Sequence, residues 1–254
     1  MSTLHGKHAL VTGANRGIGA AIVRTLAAQG ANVTLMVRDR AAAERVAATV
    51  TTRTHIVTAD VSDRAAVRAG CGSADAALGP VDILVNNAGT VETIPFLKVT
   101  PDVFSQMFAV HVMGAVHTAQ ALLPAMLERG RGTIVNVASI AGLHGAPYVA
   151  HYVAAKHALV GLTRALAVEY RGKGVTVNAV CPGYVATDLV SGSLAKISAK
   201  TGLSEAEALA AILKDAGQPR IVEAQEVADA VLHFCAGPGA TKSGETLVLM
   251  GLEQ

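Results

Sequence analysis

The 254-residue chain has no tryptophan, and four tyrosines and four phenylalanines make aromatics only 3% of it. So few rings leave little for the stacking platforms that hold single-stranded nucleic acid. An excess of one charge is missing as well. Lys and Arg number 21 against 19 Asp and Glu, a formal net charge of +2, and they gather into no basic stripe. No nucleic-acid partner is expected. Cysteine is scarce: Cys71, Cys181 and Cys235 are odd in number, far apart and in no metal-ligand spacing. They read as reduced, buried thiols of a cytoplasmic protein, and no metal site is expected. No uninterrupted apolar run reaches the ~18 residues of a membrane span, so no membrane partner is expected either. Met1 to Lys7 is polar, shows no signal-peptide pattern and leads into a strand.

Apolar residues make up 51% of the chain and charged residues 16%, enough for a sizeable core and contrary to disorder. Strand-like runs at 8–12, 33–37, 55–59, 81–85, 133–137, 175–180 and 246–250 alternate with helical patterns at 18–28, 41–49, 63–77, 101–128, 148–170 and 225–234. Strands apolar on both faces and separated by helices predict an α/β fold, a parallel sheet covered on both sides. No linker divides the chain, so one domain over 1–254 is expected, with a cofactor half to about 140 and a catalytic half from about 141. The least regular stretch, 183–219, holds a short helical pattern at 205–213. It follows a strand and reads as a lid over a ligand site.

Thr12-Gly13-Ala14-Asn15-Arg16-Gly17-Ile18-Gly19 joins the first strand to the first helix. Glycines there let backbone N–H groups approach a pyrophosphate at a helix N-terminus. The bare glycine pattern arises by chance about 0.25 times in such a chain; its position gives it weight. The second strand ends Met36-Val37-Arg38-Asp39. An apolar residue stands where an NAD enzyme usually has a ribose-binding acid, and a cation follows. Arg16 and Arg38 suit a 2′-phosphate. In the alternative, Arg38 is a solvated strand-end charge and Asp39 serves the ribose.

Tyr152 and Lys156 lie one helical turn apart on one face. Hydride arriving at a carbonyl carbon leaves an alkoxide that needs a proton. Bringing a phenol from its ordinary ~10 to ~7 takes about 4 kcal/mol, which a cation at ~4 Å can supply. Lys156 is expected to do so and to bridge ribose hydroxyls. Ser139, at a strand end, would polarise the carbonyl. Tyr148 has no lysine one turn on; it is expected to line the substrate pocket or start the helix. His144, His151 and His157 read as helix-face or pocket-lining residues without metal geometry.

Taken together, the glycine loop, Asp60-Val61, Asn86-Asn87-Ala88-Gly89, Ser139, Tyr152-x3-Lys156 and Pro182-Gly183 resemble, in order and spacing, the short-chain dehydrogenase/reductase family over about 7–251. The resemblance implies a Rossmann-type, doubly wound sheet of seven parallel strands with helices on both faces. It implies hydride transfer between a nicotinamide and a carbonyl or secondary alcohol. Asp60 and Val61 would flank the adenine; Asn86, Asn87, Ala88 and Gly89 would line the cofactor cleft and brace the sheet. Pro182, Gly183, Val185 and Thr187 would hold the nicotinamide. His111 stands where the family usually has an asparagine that anchors a water of the proton relay. A neutral imidazole can orient that water and can itself carry a proton; alternatively His111 merely packs.

The segment 189–221, with Gln218-Pro219-Arg220, resembles 3-oxoacyl thioester reductases and, in lid length, 3-hydroxybutyrate-type dehydrogenases. NADP(H) is the expected cofactor, NAD(H) the alternative. The expected partner is a small carbonyl or alcohol, thioester-bound or free, of mostly apolar character given the Leu, Ala and Val of the lid, whose cations are Lys196, Lys200 and Lys214. Arg129, Arg131, Arg171 and Lys173 would meet an acidic carrier or a coenzyme A phosphate, or simply face water. A homotetramer or homodimer is implied, with the C-terminal Gly-Leu-Glu-Gln near the interface. Competing readings are an NAD-dependent 3-hydroxy acid dehydrogenase, a catalytically silent dinucleotide-binding sensor, and an isomerase or dehydratase on the same fold.

Overall fold

The computed structural model describes residues 3–252, without the side chains of Leu189, Lys196 and Lys200. The lid cations Lys196 and Lys200 and the terminal Glu253-Gln254 thus fall outside what is described. Seven strands form one parallel sheet: β1 (His8–Thr12), β2 (Asn32–Val37), β3 (Thr54–Thr58), β4 (Ile83–Asn86), β5 (Gly132–Val137), β6 (Val175–Pro182) and β7 (Thr246–Leu249). Their order is β3-β2-β1-β4-β5-β6-β7. The order reverses between β1 and β4, and a crevice opens at the carboxyl ends there. The expected doubly wound, seven-stranded parallel sheet is the one found.

Helices α1 (Gly17–Ala28), α2 (Arg40–Ala47), α3 (Arg64–Leu78), α4 (Pro101–Phe108), α5 (Gly114–Glu128), α6 (Ala150–Glu169), α7 (Asp188–Thr201), α8 (Glu205–Asp215) and α9 (Ala224–Cys235) complete the chain. Alternation along β1 feeds two cores. Val11 packs with Ile22 and Leu26 of α1 and Val231 and Phe234 of α9. Its neighbour Leu10 packs on the other face with Val67 and Cys71 of α3 and Leu122 and Met126 of α5.

Three expectations change. The helix expected over 101–128 is α4 and α5 joined by a π-type turn, Ala109–Met113. By length and a mean hydropathy of 1.2 this stretch could cross a membrane, but 44% of its most apolar window is buried, with Leu122 and Met126 in a core beneath the sheet. The lid is more regular than its sequence, because α7 forms from a Ser- and Lys-bearing segment of weak periodicity. Finally, α6 begins at Ala150, so Tyr148 lies outside it, with φ +64°. The three cysteines are free; Cys71 and Cys181 are buried.

Candidate active site

The carboxyl ends of the central strands open into a cavity of about 710 Å³. Every residue given a cofactor or catalytic role from the sequence lines it, except Asn86. The glycine loop is tight for visible reasons. Gly13 has φ +64°, and a Cβ on it would come within 2.8 Å of Ala88 Cα. A Cβ on Gly19 would run into the Gly13 carbonyl oxygen. Asn87 fixes this loop: its Nδ2 donates to the carbonyls of Thr12 at 2.9 Å and Gly13 at 3.1 Å. Thr12 Oγ1 accepts from the N–H groups of Asn87 and Ala88, both at 3.0 Å. Asn86 points the other way. Its amide donates to Asn136 at 2.9 Å and accepts from Thr118 at 2.7 Å, which ties β4 to β5 and α5. Asn86 therefore braces the sheet and does not line the main cleft.

Helices α2, α3, α4 and α8 have side-chain caps, from Asp39, Asp63, Thr100 and Ser204, and at the start of α9 the Glu226 carboxylate accepts from the Glu223 N–H at 2.8 Å. Helix α1 has none. Its first N–H groups and its positive dipole end meet the cavity wall formed by Gly17, Ile18 and Gly19. These groups fit the pyrophosphate of a dinucleotide.

One end of the cavity is ionic and open. Arg38 pairs with Asp60 at 3.5 Å, its side chain 78% exposed. Asp60 accepts from Ser62 Oγ at 2.6 Å and Ser62 N–H at 2.9 Å. The serine bonds first, then Arg38, hold its carboxyl below the usual range. Asp39 accepts from the Ala42 N–H at 3.0 Å and so is engaged as the cap of α2. Arg45 also lines this end, beside Arg16 and Arg38. Sequence reading missed it. The available signal was its spacing from Ala42, three residues along the same helix face. Arg40 pairs instead with Glu44 at 3.0 Å.

The other end is dry. Lys156 is buried; its Nζ donates to the Val137 carbonyl at 2.9 Å and sits 5.6 Å from the Tyr152 ring centre. Burial lowers Lys156 to about 8. Burial likewise pushes Tyr152 up to about 12, against a hydrogen bond with Ser139 that pulls it down. The expectation is that Lys156, helped by the charge of an oxidised nicotinamide, brings the phenol near neutrality; among the protein's own groups, burial outweighs the lysine. A low-dielectric site disfavours both charges, and the ammonium is turned to a backbone carbonyl. The protein by itself holds Tyr152 as a phenol, the proton-donating form. Ser139 Oγ accepts from the Ala141 N–H at 3.1 Å and lies 3.4 Å from the Pro182 carbonyl.

The π-type turn brings His111 edge-on to Tyr152, ring centres 5.4 Å apart. Its Nε2 lies 2.7 Å from the Thr90 carbonyl, and its Nδ1 is buried without a partner. Burial, then the Lys156 ammonium, lowers His111 to about 3. Such a site favours the neutral imidazole, with one nitrogen to donate and one to accept. It can orient a water: a void of about 10 Å³, near the size of one water, is lined by His111, Thr12, Asn86 and Ala88.

Other residues stand apart. His144 and His157 are exposed, and His151 is buried edge-on against Phe104. None lines the cavity, and no metal-binding cluster occurs among the described residues. Arg129 and Arg131 precede β5, and Arg171 and Lys173 precede β6. All four stand at the opposite end of the strands from the cavity. Arg129 donates to the Val81 carbonyl at 2.7 Å and Arg131 pairs with Asp82 at 3.3 Å.

A family model described as short chain dehydrogenase matches residues 7–197. The inactive 2-(S)-hydroxypropyl-CoM dehydrogenase 2 of Xanthobacter autotrophicus is 45% identical over 166 residues, 65% of this chain and 72% of that protein. The acetoacetyl-CoA reductase of Rhizobium meliloti is 37% identical over 96% of both chains. The L-sorbose reductase of Gluconobacter frateurii, solved in complex with NADPH and L-sorbose, superposes with a TM-score of 0.91 at 29% identity, covering 99% of this chain and 98% of that one.

Proposed function

This chain belongs to the short-chain dehydrogenase family of oxidoreductases, and on that premise we propose that it reduces a carbonyl with NADPH, a 3-oxoacyl thioester or similar ketone being the preferred substrate. One observation carries the reading: Ser139, Tyr152 and Lys156 converge in a cavity whose other end offers Arg16, Arg38 and the open N-terminus of α1. The nicotinamide dinucleotide supplies the hydride when bound. Ser139 donates to the carbonyl oxygen and orients it. The Tyr152 hydroxyl gives that oxygen its proton as charge develops. Lys156, buried one turn along the helix from Tyr152, would hold the ribose hydroxyls and would help return a proton to the phenol. Pro182, Gly183, Val185 and Thr187, which line the cavity, would hold the nicotinamide and its carboxamide. Asp39, engaged with α2, leaves the 2′ position to arginines, which favours NADP(H) over NAD(H).

The thioester preference is supported by the likeness to acetoacetyl-CoA reductase. The same reading takes the chain as a cytoplasmic homotetramer. Exposed Val168, Val248 and Leu252 supply apolar surface near the ends of α6 and β7 for such packing. The inactive relative makes a silent dinucleotide binder the second reading; the retained Ser139, Tyr152 and Lys156 speak against it. The test is NADPH oxidation against 3-oxoacyl thioesters, ketones and 3-oxo acids, with Tyr152→Phe as control. The variant should lose at least ~100-fold in kcat, the lower range for a removed acid–base group. Unchanged activity in that variant overturns the mechanism. Tight NADPH binding with no turnover of any carbonyl selects the silent reading.

A further inference from the structure

Tyr148 is the one non-glycine among the described residues with a positive φ, +64°. A bulky L residue is strained in the left-handed region, where glycine or asparagine sits easily. Burial repays little of the strain, since the residue is 60% exposed. What the conformation does is aim the Tyr148 carbonyl at the Ile94 N–H, which donates to it at 2.8 Å. That bond clasps two loops. One leaves β4 through Gly89, Thr90 and Val91, all in the cavity wall, and carries exposed Phe96 and Leu97. The other runs from Ser139 to the start of α6, one turn before Tyr152. A strained residue kept between two site-forming loops points to function.

We propose that Tyr148 is a specificity-determining residue: its clasp with Ile94 sets the width of the cleft mouth, and its ring forms the apolar rim that receives the substrate arm projecting beyond the reacting carbonyl. This rests on the carbonyl-reductase reading. Tyr148 is not among the residues lining the cavity, whereas Gly89, Thr90 and Val91 of the loop it clasps are, so the part of a substrate it would meet is the part outside the cleft.

The experiment compares Tyr148→Gly, Tyr148→Asn and Tyr148→Phe, using the carbonyl that the wild type reduces best and its shortest-armed homologue. The Gly and Asn variants should melt about 2–4 °C higher, the shift expected for relieving modest strain in a chain of this size. They should lose about 10-fold in kcat/KM on the long-armed substrate through KM, with the short one and the KM for NADPH within about twofold. The Phe variant should match the wild type in both respects. A lower melting temperature in the Gly variant, or a higher one with both substrates unchanged, overturns the proposal. So does a fall in solution mass, which would make the rim a contact between copies of the chain. A wild type that reduces no carbonyl sinks the parent reading and this one together; an active wild type with an indifferent Gly variant sinks this one alone.

Discussion

The two ends of the cavity solve opposite electrostatic problems. At the Arg38–Asp60 end the charges are exposed, paired and near water. At the Tyr152–Lys156 end they are buried, and burial pushes both groups towards neutrality. Exposed charges recognise at little folding cost, because water already solvates them, and each is worth little alone. Buried groups destabilise the fold but act strongly on whatever enters, because the dielectric is low. On the proposed function, recognition and chemistry would be separated along one cleft.

Lys156→Met should break the contrast most completely. Activity should fall at least ~1000-fold, the scale of losing an acid–base system, while the variant becomes more stable at pH 7. The sign follows from the lowered value: Lys156 is near 8 in the folded chain against an ordinary 10.5 when unfolded, so the folded chain bears a buried charge below pH 8. Removing it should add up to about 3 kcal/mol there, at 1.36 kcal/mol per unit. The gain should fade as pH rises from 8 to 10.5, since both states of the wild type then lose the proton. Urea titrations at pH 7 and pH 10 measure this, and a less stable variant at pH 7 contradicts it.

At the open end, Arg38→Asp should raise the KM for NADPH roughly 10- to 100-fold, the worth of a charge-assisted bond, with kcat nearly unchanged and stability altered little. Steady-state kinetics with NADPH and NADH decide it. Should the wild type prefer NADH, the NADP assignment is wrong whatever the variant does.

The smallest effect is expected from His111→Asn. Asparagine can still orient a water, so kcat should fall less than ~10-fold, below the span of a true acid–base group. His111 is near 3 when folded against an ordinary 6.5 when unfolded. Between these values the unfolded chain binds a proton that the folded chain refuses, so stability drops as pH falls from 6.5 towards 3. The variant should unfold at lower pH, followed by far-UV circular dichroism. An unmoved acid midpoint would show that His111 is not held neutral.

Much of the site was legible because its motifs sit at strand ends, and a parallel α/β sheet gathers all such ends at one edge. Gly13 and Ser139 lie far apart in sequence yet line one cavity. What resisted reading depended on side-chain direction or on backbone states outside helix and strand. Arg45 is an ordinary helix-face cation until α2 is set beside the cleft. Tyr148 fits a helical pattern, and only the fold shows it in the left-handed region. Lys156 has the right spacing, but its ammonium turns to the Val137 carbonyl, which no spacing rule foretells. Helix α7 was hidden because its apolar residues keep no strong period.

Helices α1 and α7 both begin at the cavity, and neither has a side-chain cap. Two helix ends are left for solution to finish. Resistance to heat is then a property of the mixture as much as of the chain, rising with the logarithm of the concentration of any anion that seats there.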